Sequence, residues 1–241
     1  MARRKDWLVR GGLAIALLLA IVAIAFQVSK ARCFALTGDI ICRVETDQPV
    51  VALSFDDGPT AYGVDGVLPV LEAHGVKATF FLTGAESERG PALVRRLSEA
   101  GHEIGNHSYS HRRMMWPFSS NHDQDIARAS AALVAAGAPP PRLFRPPFGK
   151  KLIGLPHAVE RQGLQMVTWD VEDPADVASG RAYADALLAQ VRPGSIILMH
   201  IMYRANGPAR EALPLVLEGL RRRGYRVVPV GALIDSDASS R

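Results

Sequence analysis

No His-Glu-x-x-His segment occurs in the 241 residues, so the helix-borne zinc motif of peptidases and amidases is missing. A dense basic stripe is missing too. The formal charge is only +4, and outside the N-terminus the one cationic run is Arg221-Arg222-Arg223, so nucleic acid is not an expected partner. That run reads as the solvated end of a helix, where cations suit the dipole. Cysteine is scarce: Cys33 and Cys42 are the only two, without metal-site spacing to each other. They close a short loop in an oxidising compartment, or stay as two free thiols. The Lys-Ala-Arg before Cys33 does not look like a lipid-attachment site. There is no internal repeat and no sign of a second domain. With 48% hydrophobic and 22% charged residues, the chain is long enough for one sizeable core.

Long apolar runs are limited to one. Arg3, Arg4, Lys5 and Arg10 precede Leu13 to Phe26, and a positive flank before such a run directs export with the basic end inside. The run is shorter than the roughly 20 residues that span a bilayer comfortably. Ala23-Ile24-Ala25 also fits a small-x-small cleavage site. We read residues 1–30 as a single-pass inner-membrane signal-anchor, with a cleaved signal peptide as the alternative. Either places the remainder in the cell envelope outside the cytoplasm, or secreted or periplasmic if cleaved. Residues 31–48 read as a polar linker or small cap, 49–235 as one folded domain and 236–241 as a tail.

Within that domain, strand and helix patterns alternate about seven times. Expected strands are 50–55, 78–82, 102–105, 143–145, 164–169, 195–199 and 225–230, short apolar runs with β-branched residues. Expected helices are 64–74, 87–100, 123–136, 156–162, 181–191 and 209–223, several stopped by Gly75, Gly101 or Gly137. Such alternation implies parallel strands joined by helical crossovers, with polar residues gathered at the C-terminal rim of a barrel.

Five polar clusters follow expected strands. Asp56 and Asp57, in Ser54-Phe55-Asp56-Asp57-Gly58-Pro59, would repel each other if both were bare; a cation bound to one leaves the other to act as base, although Asp, Gly and Pro also make plain turns. His107 and His111 are four apart, close enough to share one metal, and with one Asp they make an open ligand set. Arg145, in Arg145-Pro146-Pro147-Phe148-Gly149, can hold a carboxylate. Trp169-Asp170-Val171-Glu172-Asp173-Pro174-Ala175-Asp176 is an acid-rich strand end. His200 ends the strongest apolar strand, where a lone His is more often a core residue. His74, His102, His122 and His157 lack such company and read as structural.

Ser-Phe-Asp-Asp-Gly-Pro, His-Ser-Tyr-Ser-His, Arg-Pro-Pro-Phe-Gly and Leu-Met-His resemble the successive motifs of the polysaccharide deacetylase family, the NodB-homology group or carbohydrate esterase family 4. The resemblance covers roughly Pro49 to Leu233. It implies an α/β fold, a distorted (β/α)7-type barrel of the glycoside hydrolase/deacetylase kind. It implies a hydrolase that removes acetyl groups, N-acetyl above all, from an envelope or extracellular polysaccharide. One divalent metal, usually zinc with cobalt or nickel as alternatives, would be bound by Asp57, His107 and His111 and would activate a water. Asp56 would be the base, Arg145 its orienting partner and His200 the acid. Asp176 would tune His200, with Asp173 as second candidate. The Phe148 amide would bind the oxyanion, Leu198 would line the acetyl-methyl pocket, and Pro147 and Trp169 would also face substrate. The sequence departs from the family pattern in having Val177 and Ile201 where Trp and Asp are usual, and in an extra residue in the fourth motif. The rival reading is a catalytically impaired glycan- or metal-binding protein of the same fold.

Overall fold

The computed structural model describes residues 2–115, 121–175, 177 and 179–238. Seven parallel strands form one curled sheet: β1 (Val50–Asp56), β2 (Thr79–Leu82), β3 (Glu103–Asn106), β4 (Leu143–Phe144), β5 (Gln165–Met166), β6 (Ile196–His200) and β7 (Arg226–Val228). Their order is β5-β4-β3-β2-β1-β6, with β7 paired to the start of β1. A bridge between Val171 and Ile197 brings the chain after β5 back to β6, so the sheet nearly closes. The expected parallel barrel is present, in a distorted form.

Side chains alternate across a strand. On β1, Val51, Leu53 and Phe55 pack outward against helices, whereas Val50 and Ala52 belong to a second cluster with Phe81, Val167, Trp169, Ile196 and Leu198 inside the barrel. The same period carries Ser54 and Asp56 to the inner face. On β6, Ile197 and Met199 face out, and Ile196 and Leu198 face in with His200 two residues on. The register sets Asp56 opposite His200. Two titratable groups at the rim thus follow from the pleat and from one strand pairing.

The crossover helices are α2 (Ala61–Ala73), α3 (Gly84–Arg89), α4 (Pro91–Glu99), α5 (Asn121–Ala135), α6 (Gly154–Arg161), α7 (Gly180–Leu188), α8 (Gly207–Arg222) and α9 (Val230–Ala238), preceded by α1 (Ala2–Lys30). The helix expected over 87–100 is two. Pro91 lacks an N–H and restricts the residue before it, so the chain breaks at Gly90 and restarts with Pro91 in the first turn of α4. The expected strand 225–230 is shorter and gives way to α9, whose Val230 and Leu233, three apart, fill the inner cluster. This helix runs through position 235, past the boundary drawn from sequence; residues 239–241 lie outside the described residues.

Residues 31–48 do more than link. Cys33 and Cys42 form a disulfide, Ile41 bridges to Val167, Arg43 bridges to Ser195, and Val44 is buried in the inner cluster. The segment is a strap between the end of β5 and the start of β6. Helix α1 contains a 21-residue stretch, Arg10–Lys30, long and apolar enough to cross a membrane, although a signal sequence has the same character.

The strap and β6 meet at Gly194, whose N–H donates to Val50 O at 2.8 Å and whose carbonyl accepts from Val44 N at 3.0 Å. Gly194 has φ +75° and a Cβ there would sit 1.8 Å from Val44 O. Gly194→Ala should therefore destabilise the protein by roughly 2 kcal/mol or more, from strain and clash together. Gly224→Ala has a similar φ of +78° but open space around it, so it should cost about 1 kcal/mol. Chemical denaturation of the two variants separates the terms.

Candidate active site and metal centre

Asp56 ends β1, 2% exposed, and Arg145 follows β4, fully buried. Arg145 Nη1 donates to Asp56 Oδ1 at 2.7 Å and to Ser54 Oγ at 2.8 Å, while Nη2 donates to Thr168 O at 2.9 Å. The guanidinium lies 4.0 Å from the Phe81 ring centroid. Burial pushes the Asp56 carboxyl up, but the charges of Arg145 and His200 and the Arg145 hydrogen bond outweigh it and hold the group below the usual carboxylate range.

Asp57, His107 and His111 each offer a ligand atom, all within 4.8 Å of one another. His107 Nδ1 donates to Arg145 O at 2.8 Å, since a carbonyl only accepts; this leaves the Nε2 lone pair bare, 3.9 Å from Asp57 Oδ1. Burial lowers the His107 pKa despite the nearby carboxylates, so the ring is neutral, as a ligand must be. His111 Nε2 lies 3.2 Å from Asp57 Oδ1. Two imidazole nitrogens and one carboxylate suit a borderline-soft divalent ion and leave coordination positions open. The residues present fit such a metal.

The four non-glycine residues with positive φ are Asp57 (76°), Ser108 (63°), His111 (52°) and Phe148 (59°) among those described, and all belong to this region. Their neighbours explain how the loops are held. Glu86 Oε2 accepts from Gly58 N at 3.0 Å and from Thr83 Oγ1 at 2.9 Å, and Tyr203 O–H donates to the same carboxylate. Asn106 Oδ1 accepts from Ser108 N, Asp125 accepts from Tyr109 N and Ser110 Oγ, and Ser108 Oγ accepts from His111 N. None of Glu86, Asn106, Asp125 and Tyr203 stood out from sequence as a site residue. Glu86 had only its place after the strand as a signal.

The imidazole of His200 is held by Asp173. His200 Nδ1 hydrogen-bonds Asp173 Oδ2, the His200 backbone N–H donates to Asp173 Oδ1 at 3.1 Å, and the Tyr183 hydroxyl donates to that same oxygen. Asp173, the second of the two candidates named from sequence, makes this contact; Asp176 lies outside the described residues. The strand bridge at Val171, two residues before Asp173, ties this segment to β6. Burial lowers the His200 pKa, but the Asp173 hydrogen bond and the fields of Asp56, Asp173 and Asp57 exceed it and raise the group to about 9.

The expected substrate residues split in two. Leu198 and Trp169 lie in the inner cluster, with Trp169 Nε1 donating to Glu172 at 2.8 Å. Pro147 is buried, whereas Phe148 is 51% exposed with its ring 4.8 Å from that of His111. His102, outside this site, packs on Phe80 and accepts from Ala78 N, with burial lowering its pKa to about 4.

A carboxylate kept ionised and an imidazole kept protonated, on neighbouring strands beside an open ligand set, form the kind of site that hydrolases use. The chain belongs to the polysaccharide deacetylase family, whose sequence profile matches residues 43–167. A peptidoglycan-N-acetylglucosamine deacetylase of Bacillus cereus is 30% identical over 82% of this chain and 94% of its own length. A chitooligosaccharide deacetylase of Bradyrhizobium sp. is 32% identical over 76% of this chain and 90% of its own. The structure of a family 4 acetyl xylan esterase from Clostridium thermocellum, in complex with a cobalt ion, superposes with a TM-score of 0.71 at 33% identity, covering 77% of this chain and 90% of that one.

Removing the Asp173 charge takes away the largest raising influence on His200. In Asp173→Asn the imidazole pKa should fall from about 9, and Asp176→Asn should leave it near 9. NMR titration of the ring measures both. Because the folded pKa is raised, the pair stabilises the fold fully below about pH 6.5, and that contribution is lost as pH rises through about 9.

Proposed function

We propose that this polysaccharide deacetylase is a metal-dependent hydrolase that removes acetyl groups, N-acetyl first, from an envelope or extracellular polysaccharide. The observation that carries the reading is the Asp56–His200 register pair. The two groups sit across one rung of the sheet, and their other partners push their pKa values in opposite directions. The printed names of the curated relatives support an N-acetylated glycan as substrate.

Asp57, His107 and His111 would hold a divalent ion, zinc by preference and cobalt or nickel otherwise, which would supply Lewis-acid polarisation and lower the pKa of a water. Asp56 takes the proton from the attacking water, and Arg145 keeps it ionised and aimed. The Phe148 amide, on its constrained turn, donates to the developing oxyanion. His200 then gives its Nε2 proton to the leaving amine, while Asp173 holds Nδ1 and Tyr183 holds Asp173. Leu198, Pro147 and Trp169 exclude water around the acetyl methyl. Val177, where the family usually has Trp, lines a separate cavity beside His200 together with Asp173 and Tyr183.

Asp56→Asn should keep its metal and lose turnover by about 10²-fold or more. His107→Ala and His111→Ala should lose the metal itself. Elemental analysis beside an acetate-release assay on acetylated oligosaccharides tests this, and stoichiometric metal in both histidine variants would sink the ligand set.

Rate should depend on pH as a bell, its acid limb below the usual carboxylate range and its alkaline limb near 9, where His200 loses its proton. Asp173→Asn should move the alkaline limb to lower pH. A limb that stays put would remove His200 from the role of acid.

A further inference from the structure

The C-terminal end of α1 docks on the Arg-Pro-Pro-Phe-Gly loop beside the metal ligands. Lys151 N donates to Ser29 O at 3.2 Å, the Lys151 ammonium donates to Ala31 O, and Ser29 is buried. Lys150 Nζ lies 4.4 Å from the centroid of Phe26, and Lys30 Nζ lies 4.6 Å from it. Phe26 belongs to the apolar stretch Arg10–Lys30, which at 1.5 Å per residue is about 31 Å long, close to the roughly 30 Å of a hydrocarbon core. Lys150 is therefore at headgroup height if that stretch spans. Phe148 is three residues from Lys151, at most about 11 Å of chain, and its ring touches that of His111.

Around this exit the surface has the chemistry of a membrane interface. Phe34 (54% exposed) and Leu36 (50%) follow within six residues of Lys30, in the disulfide-closed strap, and Thr37 ties that strap to the exposed Ile153 at 3.3 Å. A disulfide-closed loop that shows large apolar side chains to water has no reason to do so in a free globular domain. Beside them is a cationic group. Arg113 stacks 4.9 Å over Phe148, and burial together with the charges of Lys30 and Arg113 lowers the Lys150 pKa. None of these three cations pairs with a carboxylate among the described residues. Apolar side chains flanked by unpaired cations at the end of a span match an anionic phospholipid leaflet.

We propose that α1 stays attached as an anchor and that the face made by Phe34, Leu36, Ile153, Lys30 and Arg113, with the buried Lys150 behind it, lies on an anionic phospholipid surface, turning the catalytic rim toward the bilayer. The glycan is then met at the membrane surface and not out in the wall. This deepens the deacetylase reading by fixing where substrate is engaged, and it rests on that reading only for the nature of the substrate.

The test uses the full chain in lipid nanodiscs of phosphatidylcholine with and without phosphatidylglycerol, read by hydrogen–deuterium exchange over 33–37 and 148–153. Both segments should exchange about tenfold more slowly with phosphatidylglycerol present, given roughly 1 kcal/mol per cation at an anionic surface. Phe34→Ser with Leu36→Ser should abolish the protection, and Lys30→Gln with Arg113→Gln should remove its lipid dependence. Equal exchange in the two lipids overturns the proposal, as does a mature protein that begins after Ala25. Acetate release is measured in parallel: protection without acetate release would refute the deacetylase reading and leave this surface standing.

Discussion

The rest of the site is built around one buried ion pair. Arg145 is the largest fully buried side chain, and its charge is tolerable only because Asp56, Ser54 and Thr168 accept its hydrogen bonds and Phe81 lies against its plane. Desolvating two charges costs several kcal/mol per ion, and such a pair repays it only when the geometry is well made. Its Nε is left without a partner, so the pairing is not optimised for stability alone. What it achieves is chemical. It keeps a carboxylate ionised in the barrel interior, and the Arg145 carbonyl selects the His107 tautomer that presents Nε2 to a metal. One residue thereby conditions both the base and a ligand.

Strain is concentrated in the same place. Four non-glycine residues with positive φ, at about 1–3 kcal/mol each, persist because hydrogen bonds from outside their loops over-determine them. Glu86 grips the turn after Asp57, and Asn106 and Asp125 grip the segment from Ser108 to Ser110. Those second partners come from α3, β3 and α5, so the ligand geometry is braced by the crossover helices and not by the rim alone.

The electrostatics divide along one strand pairing. Asp56 has Arg145 and His200 has Asp173, so neighbouring groups at the rim carry opposite charges at neutral pH. If each lacked its further partner, burial would push both towards neutrality. The Tyr183 hydroxyl completes the second arm by donating to the Asp173 oxygen that also accepts the His200 N–H.

Much of this was legible in the sequence, where the information is local. Alternation of apolar strands and amphipathic helices implied parallel strands with the polar clusters at their C-terminal ends. The Asp-Asp-Gly-Pro and His-Ser-Tyr-Ser-His segments carry their ligand chemistry within a few residues. The remainder depended on partners far apart in the chain. Asp173 meets His200 because the bridge at Val171 sets its reach, a matter of register between β6 and the chain after β5. Glu86 and Tyr203, 117 residues apart, meet only when α3 and the loop after β6 are folded against one turn. Residues 31–48 read as a polar linker or small cap, and they pair with β-segments that lie more than 100 residues away. Local pattern determined what each element is; packing and register decided which charges meet, because no periodicity in a chain encodes a distance between its remote parts.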